Sequence, residues 1–284
     1  MDVLIIGGSR FVGPILVEKL LAKGHNVTLF NRGTIRSDYG PGIRFIKGDR
    51  NSGFGIKDHF DAVFDMCAFT GEQTRRALSE LDADHFIHFS SAAVYERTDR
   101  LPITEKSPIG AWPLWGEYNR GKVECERTLE ESGKKYASLR PVYILGPGDY
   151  CGREEFIYAR LMNGLPLVLP GDGMAKVQFV FAKDVAESFM VLTEKGLEGA
   201  YNCVGDDEIT LKGLVEEMGR ICEEDPIIDF NPLADGEGFD IGQFPFANEE
   251  FRFSNAKLRA EGMRFTPLAE GLEEDFDEYY SMSV

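Results

Sequence analysis

The chemistry this sequence offers rests on three side chains. Tyr118 and Lys122 stand four residues apart in a segment, Gly116 to Ser132, that reads as a helix, so both lie on one helix face. A lysine ammonium beside a phenol favours phenolate and lowers a pKa that starts near about 10. Such a phenol can give or take a proton at a substrate hydroxyl or carbonyl near neutral pH. Ser91 follows the strand-like run His85-Phe86-Ile87-His88-Phe89, so its hydroxyl can sit at a strand mouth and polarise the same substrate oxygen. A tyrosine and a lysine four apart occur by chance in many helices. A matching serine upstream, behind a glycine-rich turn, is what makes this pair informative.

That turn is Gly7-Gly8-Ser9-Arg10-Phe11-Val12-Gly13. Before it runs Val3-Leu4-Ile5-Ile6, a buried parallel strand by its continuous apolarity. After it, Val12, Ile15, Leu16, Leu20 and Leu21 recur with helical spacing until Gly24. Strand, turn and helix in that order present backbone N–H groups and a positive helix end to an anion. Gly7 and Gly8 remove the Cβ atoms that would block a pyrophosphate, and Gly13 lets helix pack on strand. A structural βα turn can also use glycines, but the flanking lengths here suit a dinucleotide site.

The next strand, Asn26 to Phe30, ends at Asn31-Arg32-Gly33, about 20 residues beyond the glycines, where an adenine ribose lies in such sites. An NAD site places an acid there for the 2′-hydroxyl. This chain has Asn31 and Arg32, with Arg10 inside the turn and Arg36 nearby, which suits a 2′-phosphate gripped by guanidinium forks. The expected cofactor is therefore NADP(H), with NAD(H) the alternative; solvated surface arginines are the competing reading. Asp49, after the strand Ile43 to Lys47, can meet the adenine rim or cap a turn. Cys67 falls at a strand end near the nicotinamide position, where a small buried hydrophobe is the plainer role.

Strands at Ala62–Met66, His85–Phe89 and Tyr136–Arg140 alternate with helices at Thr70–Leu81 and Gly116–Ser132. The alternation predicts an α/β fold with a doubly wound parallel Rossmann sheet, right-handed crossovers and a smaller C-terminal substrate lobe. The expected division is residues 1–148 for the dinucleotide domain, with a return segment at 176–204, and 149–175 plus 205–284 for the lobe. At 284 residues, 43% hydrophobic and 12% aromatic, the chain is an ordinary globular protein with a sizeable core. No apolar run approaches the roughly 20 residues that span a bilayer. The first strand begins at residue 2, which leaves no room for a signal peptide, so a cytoplasmic protein is expected. Cys67, Cys125, Cys151, Cys203 and Cys222 are widely spaced, which argues against a zinc site or disulfide framework, and no metal is expected. A net charge of −17 disfavours nucleic acid and anionic lipid as partners. Much of that acid falls on the last predicted helix, Leu268 to Tyr280, as a solvated face.

The chain resembles the extended short-chain dehydrogenase/reductase superfamily, in its NAD-dependent epimerase/dehydratase branch. The likeness runs over most of the sequence. It rests on Gly7 to Gly13, Gly48-Asp49-Arg50, Ser90-Ser91-Ala92-Ala93-Val94-Tyr95, Tyr118-x-x-x-Lys122, Leu139-Arg140-Pro141 and Phe179 to Ala186. It implies that Tyr118 is the acid/base, that Lys122 holds the cofactor ribose and lowers the tyrosine pKa, and that Ser91 orients the substrate. The dinucleotide site expected on this reading adds Ser9, Phe11, Val12, Arg50, Ala68, Pro141 and Tyr143 to the residues above. Arg10 replaces the family's middle glycine and Asn31-Arg32 its ribose acid, a variant similar to a subgroup that includes the chloroplast stem-loop-binding proteins. Ala92-Ala93 stand where sugar-nucleotide 4,6-dehydratases carry an Asp-Glu pair, which disfavours water elimination. Val177 stands where an arginine grips a nucleotide-sugar diphosphate; Lys176 or Arg252 could substitute.

The expected function is NAD(P)-dependent oxidoreduction or epimerisation at a hydroxyl or carbonyl carbon of a small substrate, sugar-like or a nucleotide sugar. Hydride passes between that carbon and the nicotinamide while Tyr118 moves the proton. The alternative is a non-catalytic regulatory or RNA-binding relative that keeps the dinucleotide fold. Oligomeric state is open, a homodimer included.

Overall fold

The computed structural model describes residues 1–35, 42–234 and 236–282. The first half of the chain forms β1 (Asp2–Ile6), α1 (Val12–Ala22), β2 (Asn26–Asn31), β3 (Ile43–Lys47), β4 (His59–Phe60), β5 (Ala62–Asp65), α2 (Gly71–Glu80), β6 (Asp82–Ala83), β7 (Phe86–Phe89) and α3 (Gly116–Glu131). The second half forms β8 (Tyr136–Pro141), β9 (Tyr143–Leu145), α4 (Arg153–Met162), β10 (Leu167–Pro170), β11 (Lys176–Phe181), α5 (Ala182–Glu194), β12 (Gly199–Cys203), β13 (Glu208–Thr210) and α6 (Leu211–Ile221). β14 (Ile228–Asn231), α7 (Ala256–Ala260) and α8 (Leu268–Glu278) complete it.

Seven strands make one parallel sheet in the order β12-β8-β7-β5-β1-β2-β3. β1 is its pivot. Val3 and Ile5 point to one face, where Leu16, Val17 and Leu20 of α1 and Phe189 of α5 cover them. Leu4 and Ile6 point to the other, under Ala77 and Leu78 of α2 and Leu129 of α3. Because a parallel sheet is buried on both faces, its strands read as unbroken apolar runs, and these four residues of β1 are all essentially inaccessible. The chain leaves β1 toward β2 on one side and later fills β5 on the other, so strand order reverses beside the glycine turn. At such a switch point an open α/β sheet has its ligand crevice. Among the described residues, no helix is long and apolar enough to cross a membrane.

β4 and β6 pair at the amino ends of β5 and β7, and two further small sheets are built from the second half of the chain. β11 pairs parallel with β9 and antiparallel with β13, while β10 pairs parallel with β14. The strand at the start of the expected return segment therefore belongs to a small sheet: only α5, which packs on α1, and β12 return to the large one. β9 crosses in the opposite sense, leaving the large sheet directly after Pro141. α6, capped by Thr210 through a 3.0 Å bond from the Gly213 N–H, has no counterpart among the sequence expectations.

The last helix also departs from expectation. Glu270, Glu273, Glu274, Asp277 and Glu278 face solvent, but Asp275 turns inward toward Glu154 of α4. Glu154 is almost wholly buried; its Oε2 accepts from the Gly146 N–H at 2.5 Å and from the Tyr280 hydroxyl at 3.4 Å. Its Oε1 and the Asp275 Oδ2 have no partner. Burial, and next the Asp275 charge, push the Glu154 carboxyl up to about 8, and burial takes Asp275 up to about 7. The folded chain thus holds protons that the unfolded chain releases near about pH 4. Stability must fall as pH rises from about 4.5 to 8, because the unfolded state then binds fewer protons than the folded state. Glu154→Gln should flatten that slope and raise the melting temperature by about 5 °C at pH 8, with little change at pH 5. Thermal melts across pH 5 to 8.5 read it directly, and parallel curves for parent and variant would refute it.

Candidate active site

The site lies in one cavity of about 1010 Å³ that runs from the glycine turn, past Tyr118, to the small sheets. At its β1 end, Gly7 and Gly8 adopt φ of 91° and 73°, a left-handed backbone that only glycine takes without strain. A Cβ on Gly13 would stand 2.4 Å from the Gly8 carbonyl carbon, so the first turn of α1 rests directly on the turn's backbone. Two of the amides are already committed: the Gly7 N–H donates to Phe30 O and the Gly13 N–H to Arg10 O, each at 2.9 Å. Phe11, beside Arg10, has an unusual backbone for a residue other than glycine, at φ 52° and ψ −112°. The Phe11 ring meets Tyr150 edge-on, 6.4 Å between centroids.

Asn31 ties the turn to β2. Its side-chain N–H donates to Ser9 Oγ at 2.9 Å, and its carbonyl oxygen accepts from the Gly33 N–H at 2.8 Å. Arg10 and Arg32 are exposed on the cavity rim on either side of that link. Asp49 lines the rim and also accepts from the Asn51 N–H at 2.9 Å, so it serves a turn while facing the cavity. Val12 lines the cavity too, but Gly13 does not. Arg36 lies outside the described residues.

Arg50 and Ala68 have structural partners. The Arg50 guanidinium is held by the buried Asp65 carboxylate at 2.5 and 2.8 Å and by Gln73 O at 2.9 Å, at the end of β5. Ala68 is fully buried and outside the cavity lining; its carbonyl accepts from Lys122. Cys67 sits beside Gly7, and burial pushes its thiol up, so it remains protonated. Pro141 and Tyr143 line the far wall, where the Tyr143 ring packs on Trp115 and Phe251 at 5.9 and 5.3 Å.

Ser91, Tyr118 and Lys122 all line this cavity, as the spacing suggested. Ser91 caps a short turn through a 3.1 Å bond from the Ala93 N–H to its Oγ. The Lys122 ammonium is buried and donates to Ala68 O at 2.9 Å and Phe89 O at 2.6 Å, which joins α3 to the ends of β5 and β7. It lies 5.9 Å from the Tyr118 ring centroid. The expected lowering of the phenol pKa is absent. Tyr118 stands open to the cavity, 43% accessible; the protein packed around its phenol pushes it up, hydrogen bonding with Ser91 pulls it partly back, and burial lowers Lys122 itself. Two of the ammonium's three N–H bonds are directed to the Ala68 and Phe89 carbonyl oxygens rather than to the phenol.

What brings α3 so near is Gly121, a residue the sequence reading passed over. A Cβ there would lie 2.0 Å from Phe69 O. One turn further along α3, Glu126 is buried against Arg140 of β8, which donates from Nε at 2.9 Å. Ser90 Oγ donates to the same carboxylate at 2.5 Å. Arg140 Nη1 donates to the Tyr95 hydroxyl at 2.8 Å, and that hydroxyl donates to Asn202 at 2.5 Å. Beyond Tyr118 the cavity is walled by Leu114, Trp115, Tyr150, Arg153 and Phe251, none of them expected. The rule that ligands bind at the carboxyl edge could have pointed to the loop 146–153, since it follows β9. Lys176 and Arg252, the proposed stand-ins at Val177, lie outside the cavity and pair with Glu208. His88 is buried with neither ring nitrogen partnered, and burial lowers it to about 3, so it is a neutral core residue. Among the described residues, His59, Asp61 and Asp84 come close enough to share an ion, on the open surface away from the cavity.

A doubly wound sheet with a glycine turn at its switch point, and serine, tyrosine and lysine lining one cavity at its carboxyl edge, defines an extended short-chain dehydrogenase/reductase. The chain belongs to the NAD dependent epimerase/dehydratase family, whose family model matches residues 3–203. It is 31% identical over 304 positions to the Arabidopsis thaliana chloroplast stem-loop binding protein of 41 kDa b, covering 97% of this chain and 78% of that one. Among solved structures, it is similar to a UDP-N-acetylglucosamine 4-epimerase from Methanobrevibacter ruminantium, with a TM-score of 0.80 at 20% identity over 99% of this chain and 98% of the other. A UDP-glucuronic acid 4-epimerase from Bacillus cereus gives a TM-score of 0.81 at 16% identity, with both chains covered in full.

Gly121→Ala should therefore push α3 away from the 68–70 loop and destabilise the fold by about 1–3 kcal/mol, the range for overpacking. Arg120→Ala, one residue back and exposed, should stay within about 0.5 kcal/mol of the parent. Urea denaturation separates them; equal midpoints for all three proteins would refute the close approach.

Proposed function

We propose that the protein is an NADP(H)-dependent oxidoreductase or epimerase acting at a hydroxyl or carbonyl carbon of a small, sugar-like substrate, nucleotide sugars included. The observation that carries this reading is the single cavity in which the glycine turn and the Ser91–Tyr118–Lys122 set face a common space. Its volume exceeds what one small molecule needs and suits a dinucleotide with a substrate beside it. The left-handed glycines and the backbone contact at Gly13 form a cradle that added Cβ atoms would fill, which fits a pyrophosphate. Among similar proteins, the B. cereus epimerase structure contains NAD and the M. ruminantium one UDP-N-acetylmuramic acid, which supports the same pairing here.

A bound nicotinamide dinucleotide supplies and accepts hydride at the substrate carbon. The chain's own part is binding and proton handling. The cradle and the rim arginines hold the phosphates, and Lys122, fixed from below by two carbonyls, presents its remaining proton to the cavity. Ser91 donates to the substrate oxygen and orients it. Tyr118 gives a proton to that oxygen in the reducing direction and is left as phenolate; in the oxidising direction the phenolate takes the substrate hydroxyl's proton and returns to the phenol. Epimerisation uses that transfer twice and net oxidoreduction once. Ala92 and Ala93 are buried and carry no acid or base, which speaks against water elimination.

The kinship to a stem-loop binding protein favours a second reading, RNA binding without turnover. The charge of −17 opposes it, because RNA phosphates are repelled by most of the surface.

With any substrate that is turned over, Tyr118→Phe should cost two to four orders of magnitude in rate, about what a general acid/base contributes, and leave dinucleotide affinity nearly unchanged. Parent-like turnover by this variant would discard the mechanism. For the cofactor, an arginine bonded to the 2′-phosphate contributes about 1.5–3 kcal/mol, roughly ten- to a hundredfold in affinity. NADPH should bind the parent at least tenfold tighter than NADH, and Arg32→Ala should remove most of the gap while sparing NADH. Calorimetry with both dinucleotides measures this, and equal affinities in the parent would turn the assignment to NAD(H).

A further inference from the structure

Ser91 and Tyr118 come from separate elements, and one buried side chain joins them. Ser91 opens the short turn that follows β7, while Tyr118 stands in the first turn of α3, which starts at Gly116 without a side-chain cap. The bonds described above hold α3 further along its length: Lys122 to the Ala68 and Phe89 carbonyls, and Glu126 to Arg140 and Ser90. They lie one and two turns beyond Tyr118. They leave the spacing between the first turn and Ser91 to be set by something else.

Asn119, the residue after Tyr118, is 2% exposed and lies outside the cavity lining. Its Nδ2 donates to Ala93 O at 2.6 Å and to Gly110 O at 2.8 Å, and its Oδ1 accepts from the Trp112 N–H at 3.4 Å. Two acceptors on one side and a donor on the other settle which way the amide faces. Ala93 is bonded at both ends, because its N–H donates to Ser91 Oγ at 3.1 Å. Two hydrogen bonds through one residue therefore link the helix that carries the phenol to the serine hydroxyl. The Gly110 N–H donates in turn to Val94 O at 3.0 Å, so the loop that Asn119 grips is also tied to the turn that Ser91 opens. Alanine at 119 would have no donor for either carbonyl, and serine is too short to serve both.

We propose that Asn119 is a positioning residue: it holds the Ser91 hydroxyl and the Tyr118 phenol at the separation from which both reach one substrate oxygen. The proposal rests on Ser91 and Tyr118 being the working pair, as argued above. Asn119 touches neither substrate nor cofactor; it acts through the Ala93 backbone.

The test reads the coupling between the two side chains on the full chain, with no substrate present. Hydrogen bonding with Ser91 lowers the Tyr118 pKa, so Ser91→Ala should raise it. A pH titration of the chain labelled with 13Cζ-tyrosine follows the phenol by NMR, and its signal is the one lost in Tyr118→Phe. In Asn119→Ala, adding Ser91→Ala should move the phenol less than about half as far as it does in the parent, the departure from additivity expected of coupled neighbours. Asn119 is uncharged, so its removal leaves the ionisable neighbours of the phenol, Arg153, Cys151 and Cys125, in place. Asn119→Ser, which keeps one short donor, should fall between the parent and Asn119→Ala and guards against a folding defect in the alanine variant. Thr193→Ala, which deletes a buried 2.7 Å bond to Phe189 O in α5 away from the cavity, should lower stability yet leave the Ser91→Ala shift at its full size. That contrast separates positioning from general loosening. A Ser91→Ala shift undiminished in both Asn119 variants overturns the proposal, and so does the absence of any shift in the parent. Turnover plays no part in this readout, so failure of the clamp and failure of the Tyr118 mechanism are told apart.

Discussion

The Glu126 carboxylate lies beneath the sheet's carboxyl edge with no route to water, where an unpaired charge would be strongly destabilising. Arg140 from β8 and Ser90 from the end of β7 satisfy it, and Tyr95 and Asn202 extend the network to β12. Three strands and α3 are thereby held in one relation to one another. Glu126 is one helical turn from Lys122 and two from Tyr118, so fixing its carboxylate fixes how α3 is rotated about its axis. The face that reaches the cavity follows from that rotation. Gly121 sets the remaining variable, the distance between α3 and the 68–70 loop, because a backbone oxygen occupies the space where another residue's Cβ would be.

The sheet was legible in the sequence because burial on both faces leaves nothing for its strands but apolar residues; β1, β2, β5 and β7 stand out for that reason alone. The glycine turn was legible through its position between a strand and a helix of the right lengths. The lobe was not. β13 has three residues and β14 runs half-buried, exposed, exposed, half-buried; α6 alone carries a readable signal, since its buried Leu211, Leu214, Val215 and Met218 recur at helical spacing. Periodicity reports local burial, and short elements folded over a cavity have little of it. Ser91, Tyr118 and Lys122 could be found because their types and spacing are chemical statements. Asn119 and Gly121 become meaningful only when the chain is folded, since what distinguishes them is where their bonds run or a missing atom's worth of space.

The lysine was expected to make the phenol acidic, an argument that treats the pair as if nothing else were near. In the folded chain two of the ammonium's N–H bonds run to the Ala68 and Phe89 carbonyls, and the phenol, open to the cavity, moves up while the buried lysine moves down. Burial also governs Glu154 and Asp275, which the sequence would count among the solvated charges behind the net −17. Formal charge is therefore a poor guide to Glu154 and Asp275, whose carboxyls burial pushes up to about 8 and about 7.

Phe11 holds a left-handed backbone that few non-glycine residues adopt, at an energy on the order of 1–3 kcal/mol. A glycine at 11 would relax the turn, yet it would also remove the ring that touches Tyr150, the residue next to Cys151 on the loop leading into α4. The Phe11 ring thus ties the glycine turn to the loop that leads into α4, so the strained backbone at residue 11 and the placement of that loop depend on one side chain.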